Sequence, residues 1–420
     1  MTEGVGRRRI GESVLRKEDL RFVQGRGKYT DDLNKPGQYF GYFVRSTIAH
    51  ANIRQIKTLD AVAVPGVVAV LTGADYAADG CGPVIHRAIE GDPVDFRRPA
   101  FDQNDPVALQ LNQWPLAIDK VRHVGEPVAL VIAETIAAAE DAAELVVQDL
   151  EILQPVVDVF QASAPNAAEV NNGAPGNIVV HRLDGNANET EQALRDADIV
   201  VKGEFNVPRL VSCQMELRSC ITEYDYDTDK FIITAGNQGV HRYQRMIAGA
   251  LKVELDNVRV VCPDTGGGFG SRGHAGPEYV VLAWASKKLG TPIKWTSSRS
   301  EAFISDWQGR DMFMKGELGV STDGKITAYK VQFLINNGAH TICYAPPANA
   351  SRLVTTTYDI PLVALDMKVY LTTTVPVLPF RAAGRPETHY VLERLIDMAA
   401  SKIGMDRKVM RAANLIQQVD

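Results

Sequence analysis

The sequence has few of the features that mark secreted, membrane-spanning or nucleic-acid-binding proteins. Its 420 residues include five cysteines and no C-x-x-C pair, which argues against a disulfide framework and against cysteine-ligated zinc or iron–sulfur centres. No apolar run approaches the ~18 residues of a membrane span, and the charged N-terminus lacks the apolar segment of a secretory signal. The net charge of −6, without a basic run, gives no reason to expect nucleic acid. We therefore expect a weakly acidic, reduced, cytoplasmic protein.

Strand and helix signals are mixed along the chain. They lack the regular alternation of a doubly wound parallel sheet, so the predicted fold class is α+β. Residues 1–18 are polar and basic and are predicted to form an N-terminal arm. Residues 156–177 are rich in proline, alanine and asparagine and are predicted to be a linker. The linker would separate one domain at 19–155 from a second at 178–420.

Helix ends are predicted at three positions by local chemistry. Thr135 and Asp406 each stand before a run with helical spacing, where a side-chain oxygen can cap free backbone N–H groups. Gly404 follows such a run, where glycine can adopt the left-handed conformation that ends a helix.

The stretch "DTGGGFGSRGH" (264–274) contains five glycines and spells G-x-G-x-x-G from Gly268 to Gly273. A strand-like run precedes it and a helix-like run follows, so one hypothesis is a dinucleotide site and an NAD-type dehydrogenase. Against this, "PDTGG" separates the strand from the motif, and Pro277 stands where the helix should already have begun. The alternative is a glycine turn that lets the backbone pass close to another group.

A second stretch, "PFRAAGRPETHYVLERL" (379–395), combines an arginine turn with the start of a predicted helix. It places Arg381 and several backbone N–H groups just before a helix N-terminus, which is a natural cradle for an anion. The alternative is that the arginine ties loop carbonyl groups together.

Several ordered segments of the chain together resemble the molybdenum hydroxylases, the family of xanthine dehydrogenase, aldehyde oxidase and carbon monoxide dehydrogenase large subunits. The segments are "GRGKYTDDL", "RSTIAHANI", "VGEPVALVIAET", "MELRSC", "GNQGVHRYQRMIAGAL", "VRVVCPDTGGGFGSR" and "PFRAAGRPETHYVLERLID". The resemblance implies an α/β-hammerhead domain over 19–155, followed over 178–420 by the first of two molybdopterin-binding domains. It also implies a molybdenum–molybdopterin cofactor, with the cytosine dinucleotide form as one candidate.

The resemblance implies that the two unusual stretches contact this cofactor. The implied cofactor contacts are Gln238, Gly268, Phe269, Gly270 and Arg381. No side chain of this chain is expected to ligate the molybdenum directly. A large cofactor needs bare backbone nearby, which accounts physically for the glycines.

Departures from the family pattern bear on the substrate pocket, for which Gly273, Asn349 and Ala383 are the candidate lining residues. Purine hydroxylases carry a glutamate where this chain has Gly273 and an arginine where it has Asn349, so purine specificity is not expected. Carbon monoxide dehydrogenases carry a copper-binding cysteine where this chain has Ala382, so copper chemistry is not expected either. The expected substrate is an aldehyde or an N-heterocycle.

The length of the chain also departs from the family. Family subunits continue through a second pterin-binding domain, which holds the glutamate that serves as general base. We therefore expect this chain to be the N-terminal half of a split subunit in a heteromeric hydroxylase that uses water-derived oxygen and is inactive without its partners. The base, iron–sulfur clusters and FAD are expected on partner subunits. Two other classes stay open, an NAD-type dehydrogenase and a non-catalytic scaffold or cofactor-handling relative.

Overall fold

The computed structural model describes residues 10–11, 13–86, 88, 101 and 107–417. Most of the predicted N-terminal arm (1–18) lies outside the described residues. The helices are α1 (Asp19–Val23), α2 (Leu59–Val62), α3 (Gly73–Ala78), α4 (Ile136–Glu144), α5 (Val159–Ala162), α6 (Ala187–Asp196), α7 (Val240–Leu251), α8 (Pro277–Leu289), α9 (Arg299–Ser305), α10 (Ala345–Arg352), α11 (Arg385–Ile403) and α12 (Arg407–Ala413).

The strands form four sheets. They are β1 (Tyr39–Arg45), β2 (Ala51–Lys57), β3 (Val67–Thr72), β4 (Val107–Ala108), β5 (Lys120–Val121), β6 (Pro127–Ala133), β7 (Val147–Ile152), β8 (Ile178–Gly185), β9 (Ile199–Val207), β10 (Leu210–Val211), β11 (Ser219–Asp225), β12 (Lys230–Ala235), β13 (Val258–Val261), β14 (Ile293–Thr296), β15 (Gln308–Gly309), β16 (Met312–Val320), β17 (Ile326–Asn336) and β18 (Val363–Tyr370). The mixture of helices with parallel and antiparallel strand pairs confirms the predicted α+β class.

The largest sheet has seven strands in the order β13-β12-β11-β14-β1-β6-β3. Strand β1 from the first predicted domain pairs in parallel with β14 from the second, with Tyr39 opposite Ile293. Strand β6 reads as a continuous apolar run because α4 and α8 both contact it and all seven of its residues are buried. The sheet therefore contains strands from both sides of the predicted linker. The domain boundaries stay a prediction.

A second sheet has six strands in the order β4-β8-β18-β17-β16-β9, with α11 packed on β9 and β16. The apolar core between them also takes in Val156, Val159, Ala162, Val170 and Ala174. The segment predicted as a linker is thus packed against the body of the second region. Sheets of three strands (β5-β2-β7) and two strands (β10-β15) complete the fold.

The three helix ends predicted from local chemistry are confirmed. The Thr135 hydroxyl accepts a hydrogen bond from the Ala138 N–H at 3.2 Å. The Asp406 carboxylate caps the first turn of α12, and Gly404 ends α11 with a φ of 72°. No helix among the described residues combines the length and the apolar character needed to cross a bilayer.

A buried ionic network holds the start of α8, directly after the glycine stretch. Glu278 is 1% exposed, and its two oxygens lie 2.7 Å from Arg218 Nη1 and 2.8 Å from Arg45 Nη2. Arg218 also donates to Asp306 at 2.5 Å, and Arg45 to Glu301 at 2.7 Å. Burial alone would raise the pKa of Glu278, but Arg218 and Arg45 hold it at about 2. The carboxylate is therefore ionised and links the end of β1 and the residue before β11 to α8.

Candidate functional site

A cavity of about 1120 Å³ lies between α7, the glycine stretch and the arginine turn before α11. Its wall contains all but one of the site residues predicted from the sequence; the exception is Gly268. The predicted residues that line it are Gln238, Phe269, Gly270, Gly273, Asn349, Arg381 and Ala383. Residues separated by more than a hundred positions are thus brought to one cavity, while their individual roles stay predictions.

Gly268 lies behind Gln238 and supports it. A Cβ atom at position 268 would lie 2.4 Å from the Gln238 Cδ, so only glycine leaves room for that side chain. The Gln238 Oε1 accepts a hydrogen bond from the Gly270 N–H at 2.7 Å. Its Nε2 has no hydrogen-bond partner among the described residues. The Gln238 carboxamide is therefore held by its oxygen, and its N–H donors are available to a group in the cavity.

The glycine stretch and the arginine turn touch directly. The Arg381 N–H donates to the Phe269 carbonyl at 2.9 Å. Gly270 has a φ of 102°, and a Cβ there would lie 2.4 Å from the Pro379 carbonyl oxygen. Phe269 itself has a φ of 51° and is 43% exposed at the cavity wall. The two stretches therefore form one continuous surface whose spacing depends on the absence of a side chain at 270.

Glu216 clamps both ends of the glycine stretch. Its Oε2 accepts from the Gly266 N–H at 2.7 Å and from the Arg272 Nη1 at 2.7 Å. Arg272 is 4% exposed, so the pair is shielded from water. This clamp holds the turn in one conformation and was not recognised from the sequence.

The arginine turn is held in a strained conformation. Ala382, Ala383 and Gly384 have consecutive positive φ values of 73°, 35° and 83°. The left-handed conformation costs alanine about 1–2 kcal/mol, and such strain is found where the surrounding structure over-determines the backbone, often at functional sites. The turn ends at Arg385, the first residue of α11.

Two side chains hold this turn in place. The Asn349 Nδ2, on α10, donates to the Ala383 carbonyl at 3.0 Å. The Arg310 Nη2 donates to the Arg381 carbonyl at 2.8 Å, and its Nη1 donates to Glu387 at 2.9 Å. The arginine that binds a carbonyl group of this loop is therefore Arg310 and not, as the alternative from the sequence had it, Arg381. The Arg381 side chain has no ion-pair or hydrogen-bond partner among the described residues, which is consistent with a predicted role towards a bound anion.

Gly384 provides a direct test of this packing. We expect Gly384→Ala to lower the free energy of unfolding by about 2–5 kcal/mol, because the left-handed backbone and the overpacking each add a cost. The added Cβ would lie 2.0 Å from the Pro346 carbonyl oxygen. The matched control is Gly404→Ala at the other end of α11, where φ is 72° and nothing lies within 4 Å. Urea unfolding measures both, and equal losses would show that the close contact at Gly384 adds no cost.

The cavity has an excess of positive charge. Arg242, Arg245, Arg381 and Arg385 line it, and among the described lining residues Glu254 alone carries a carboxylate. Guanidinium groups bind phosphate well, and the N-terminus of α11 adds backbone N–H groups on the same side. These residues fit a cofactor that carries phosphate together with a polar ring system. The arginines of α7 were missed from the sequence, although their i, i+3 spacing in "HRYQR" places them on one helix face.

His274 and Cys343 also line the cavity but are unsuited to act as charged groups. Burial and the nearby Arg242 hold the pKa of His274 well below its ordinary value, so its imidazole is neutral. Burial raises the pKa of the Cys343 thiol, so it stays protonated at neutral pH.

The glycine stretch lacks the arrangement of a dinucleotide fingerprint. Ser271–Gly273 form a short 3-10 turn, and α8 begins only at Pro277. A dinucleotide-binding turn places its glycines between a strand and the immediate N-terminus of the helix that binds the pyrophosphate. The glycines here instead support Gln238 and approach Pro379.

Comparisons with known proteins agree with this geometry. Residues 170–415 match the model of the molybdopterin cofactor-binding domain, and residues 24–154 match that of the aldehyde oxidase and xanthine dehydrogenase a/b hammerhead domain. The order of the two matches confirms the predicted hammerhead and molybdopterin-binding architecture.

Three related proteins define the extent of the similarity. The chain is 32% identical to the nicotine 6-hydroxylase large subunit of Paenarthrobacter nicotinovorans, over 97% of this chain and 48% of that protein. It is 32% identical to the carbon monoxide dehydrogenase large chain of Afipia carboxidovorans, over 97% of this chain and 50% of that protein. The crystal structure of quinoline 2-oxidoreductase from Pseudomonas putida 86 superimposes with a TM-score of 0.88 at 29% identity. The superposition covers 97% of this chain and 50% of that one. The chain thus spans about half the length of these relatives.

Proposed function

We propose, because this chain belongs to the molybdopterin cofactor-binding domain family, that it is one subunit of a heteromeric molybdenum hydroxylase. In this proposal it contributes part of the cofactor site and part of the substrate pocket. The observation that carries the proposal is the contact between the glycine stretch and the arginine turn, through the Phe269 carbonyl and the Arg381 N–H, at the wall of a large, arginine-lined cavity.

The residues of this chain bind and orient the proposed molybdenum–molybdopterin cofactor. The Nε2 of Gln238 would donate to it, with Gly268 making room for that side chain, the backbone at Phe269 and Gly270 would let it approach closely, and Arg381 would pair with its negative charge. When bound, the cofactor supplies the two-electron oxidation of a carbon atom with oxygen derived from water. The cytosine dinucleotide form of the pterin is one candidate.

An aldehyde or an N-heterocycle is the proposed substrate class. Gly273 and Ala383 add no polar side chain to the cavity, and the Asn349 amide is engaged with the Ala383 carbonyl. Positions 273 and 349 therefore offer no free charged pair that would grip a purine. Two relatives, nicotine 6-hydroxylase and quinoline 2-oxidoreductase, are named for N-heterocyclic compounds, which supports a heterocycle.

A second molybdopterin-binding subunit and an iron–sulfur subunit are the proposed partners, with a flavin subunit as a further candidate. The support is that the chain spans about half of the length of its relatives. In this proposal the isolated chain is inactive. The five cysteines, all free, support a reducing compartment and hence the cytoplasm.

Analysis of the complex purified from its native source tests the proposal. We expect one molybdenum atom and one pterin per chain, together with a partner that carries the second pterin-binding half. Bound nicotinamide dinucleotide without molybdenum would instead support a dehydrogenase that uses the glycine stretch. A native monomer with neither cofactor would support the scaffold alternative.

A further inference from the structure

Three buried side chains, none of which lines the cavity, come together where the two regions of the chain meet. They are His123 and Glu126, which precede β6, and His340, which follows β17. Their exposed fractions are 4%, 3% and 5%. One nitrogen or oxygen atom from each lies within 4.8 Å of the others. Two imidazoles and a carboxylate buried at this separation form an unusual cluster for a role in packing alone.

Backbone contacts hold the two loops that carry these side chains. The Gly125 N–H donates to the Ser46 carbonyl at 2.8 Å, and Gly125 has a φ of 91°. A Cβ at position 125 would lie 2.0 Å from the Ile304 carbonyl oxygen. On the other loop, the Asn337 Nδ2 donates to the His340 carbonyl at 2.9 Å. The cluster is therefore positioned by the fold and does not depend on a ligand for its assembly.

Hydrogen bonds within the cluster leave ligand atoms available. The His123 Nδ1 lies 2.9 Å from the Val124 carbonyl oxygen, which only a protonated nitrogen can approach as a donor. The His123 Nε2 then carries a lone pair and has no hydrogen-bond partner among the described residues. This arrangement, in which one ring nitrogen donates to a carbonyl and the other is unprotonated, is typical of a metal-binding histidine.

Glu126 and His340 supply the other two donor atoms. The Glu126 Oε1 lies 2.7 Å from the His340 Nε2, and the Glu126 Oε2 accepts from the Arg122 N–H at 2.5 Å. Zinc bound at 2.0–2.2 Å places its ligand atoms roughly 3.4 Å apart. That separation is longer than the 2.7 Å between the Glu126 Oε1 and the His340 Nε2, and it lies within the 4.8 Å limit that contains all three ligand atoms. Small side-chain rotations would therefore replace the hydrogen bond with coordination of a metal.

We propose that His123, Glu126 and His340 form a binding site for a divalent transition-metal cation, with Zn²⁺ as the best fit. Two imidazole nitrogens and one carboxylate oxygen are a ligand set that zinc accepts, with water in the fourth position. Bound there, the cation joins the loop before β6 to the loop after β17 and so braces the two regions of the chain. His340 lies three residues before Cys343, which lines the cavity, so the brace supports the cavity wall. This inference does not depend on the proposed hydroxylase function.

Zinc binding to the full chain tests this proposal. After removal of metals with a chelator, the wild-type chain is titrated with Zn²⁺ in competition with a chromophoric chelator. We expect one Zn²⁺ per chain and at least about 100-fold weaker binding in Glu126→Gln, more than the 10- to 100-fold loss typical of an outer-shell partner. His389→Gln, which replaces an exposed histidine, is the matched control and should bind as the wild type does.

Two further measurements guard against a merely structural effect. Zn²⁺ should raise the thermal midpoint of the wild type but not of Glu126→Gln, because a cation that binds only the folded chain stabilises it. If Glu126→Gln does not fold, His123→Gln replaces it, since within the described part of the chain that side chain is hydrogen-bonded only to the adjacent carbonyl. Absence of stoichiometric zinc in the wild type, or equal affinity in wild type and ligand variants, would overturn the proposal and leave a metal-free hydrogen-bonded pair.

Discussion

Gly270→Ala is expected to lower the molybdenum and pterin content of the purified complex at least about tenfold. Gly270 has a φ of 102°, and an added Cβ would lie 2.4 Å from the Pro379 carbonyl oxygen. The left-handed backbone costs about 1–2 kcal/mol and the overpacking about 1–3 kcal/mol, while 1.4 kcal/mol is a factor of ten in affinity. The chain can relieve this strain only by separating the glycine stretch from the arginine turn.

The proper control for Gly270→Ala is Gly290→Ala. Gly290 also has a positive φ, of 65°, but its nearest neighbour is the Tyr226 hydroxyl at 3.6 Å. It ends α8, away from the cavity wall. Metal analysis and pterin fluorescence should therefore show a wild-type cofactor content in the control. Full molybdenum content in a folded Gly270→Ala complex would show that the contact between the two turns does not define the cofactor site.

Glu278→Gln is expected to lower the free energy of unfolding by about 3–5 kcal/mol, the usual cost of removing one partner from a buried ion pair. Glu278 faces Arg218 and Arg45, and the amide would remove one carboxylate partner from each cation, leaving Asp306 on Arg218 and Glu301 on Arg45. Urea unfolding near neutral pH measures the change. Because α8 follows the glycine stretch directly, a folded variant should also retain less cofactor.

The ion pairs of Glu278 also make the stability of the protein depend on pH, with a definite sign. The pKa of Glu278 is lowered from an ordinary value of 4.5 to about 2 in the folded protein. The stability that this shift contributes is fully present above pH 4.5 and is lost as the pH falls toward about 2. The wild type should therefore lose more stability than Glu278→Gln over that interval.

A surface ion pair is the control for the Glu278 experiment. The Glu317 Oε2 lies 2.6 Å from the Lys202 Nζ, but the two side chains are 32% and 69% exposed. Exposed pairs contribute about 0–1 kcal/mol, so Glu317→Gln should leave stability almost unchanged. A similar loss in both variants would contradict the importance of burial in the Glu278 network.

Local sequence signals and a family resemblance accounted for much of this protein. The caps at Thr135 and Asp406 were predictable because each depends on a few neighbouring residues. The cavity residues were found differently, since only the resemblance connected Gln238 with Phe269 and Arg381. The Glu216 clamp was missed because its partners lie about fifty residues away in the chain. The arginines of α7 were missed because their i, i+3 spacing places them on one helix face but does not show that this face lines a cavity.

The sequence by itself determined the mixed strand and helix content, the helix ends and the need for bare backbone around Gly268 and Gly270. Tertiary structure alone decided that β1 joins β14 across the predicted linker, that Arg310 ties the carbonyl of Arg381, and that His123, Glu126 and His340 meet in the interior. The physical reason is the distance along the chain over which each interaction acts. Caps and turns satisfy backbone groups within a few residues, whereas sheet pairing and buried polar clusters depend on side chains that only the folded chain brings together.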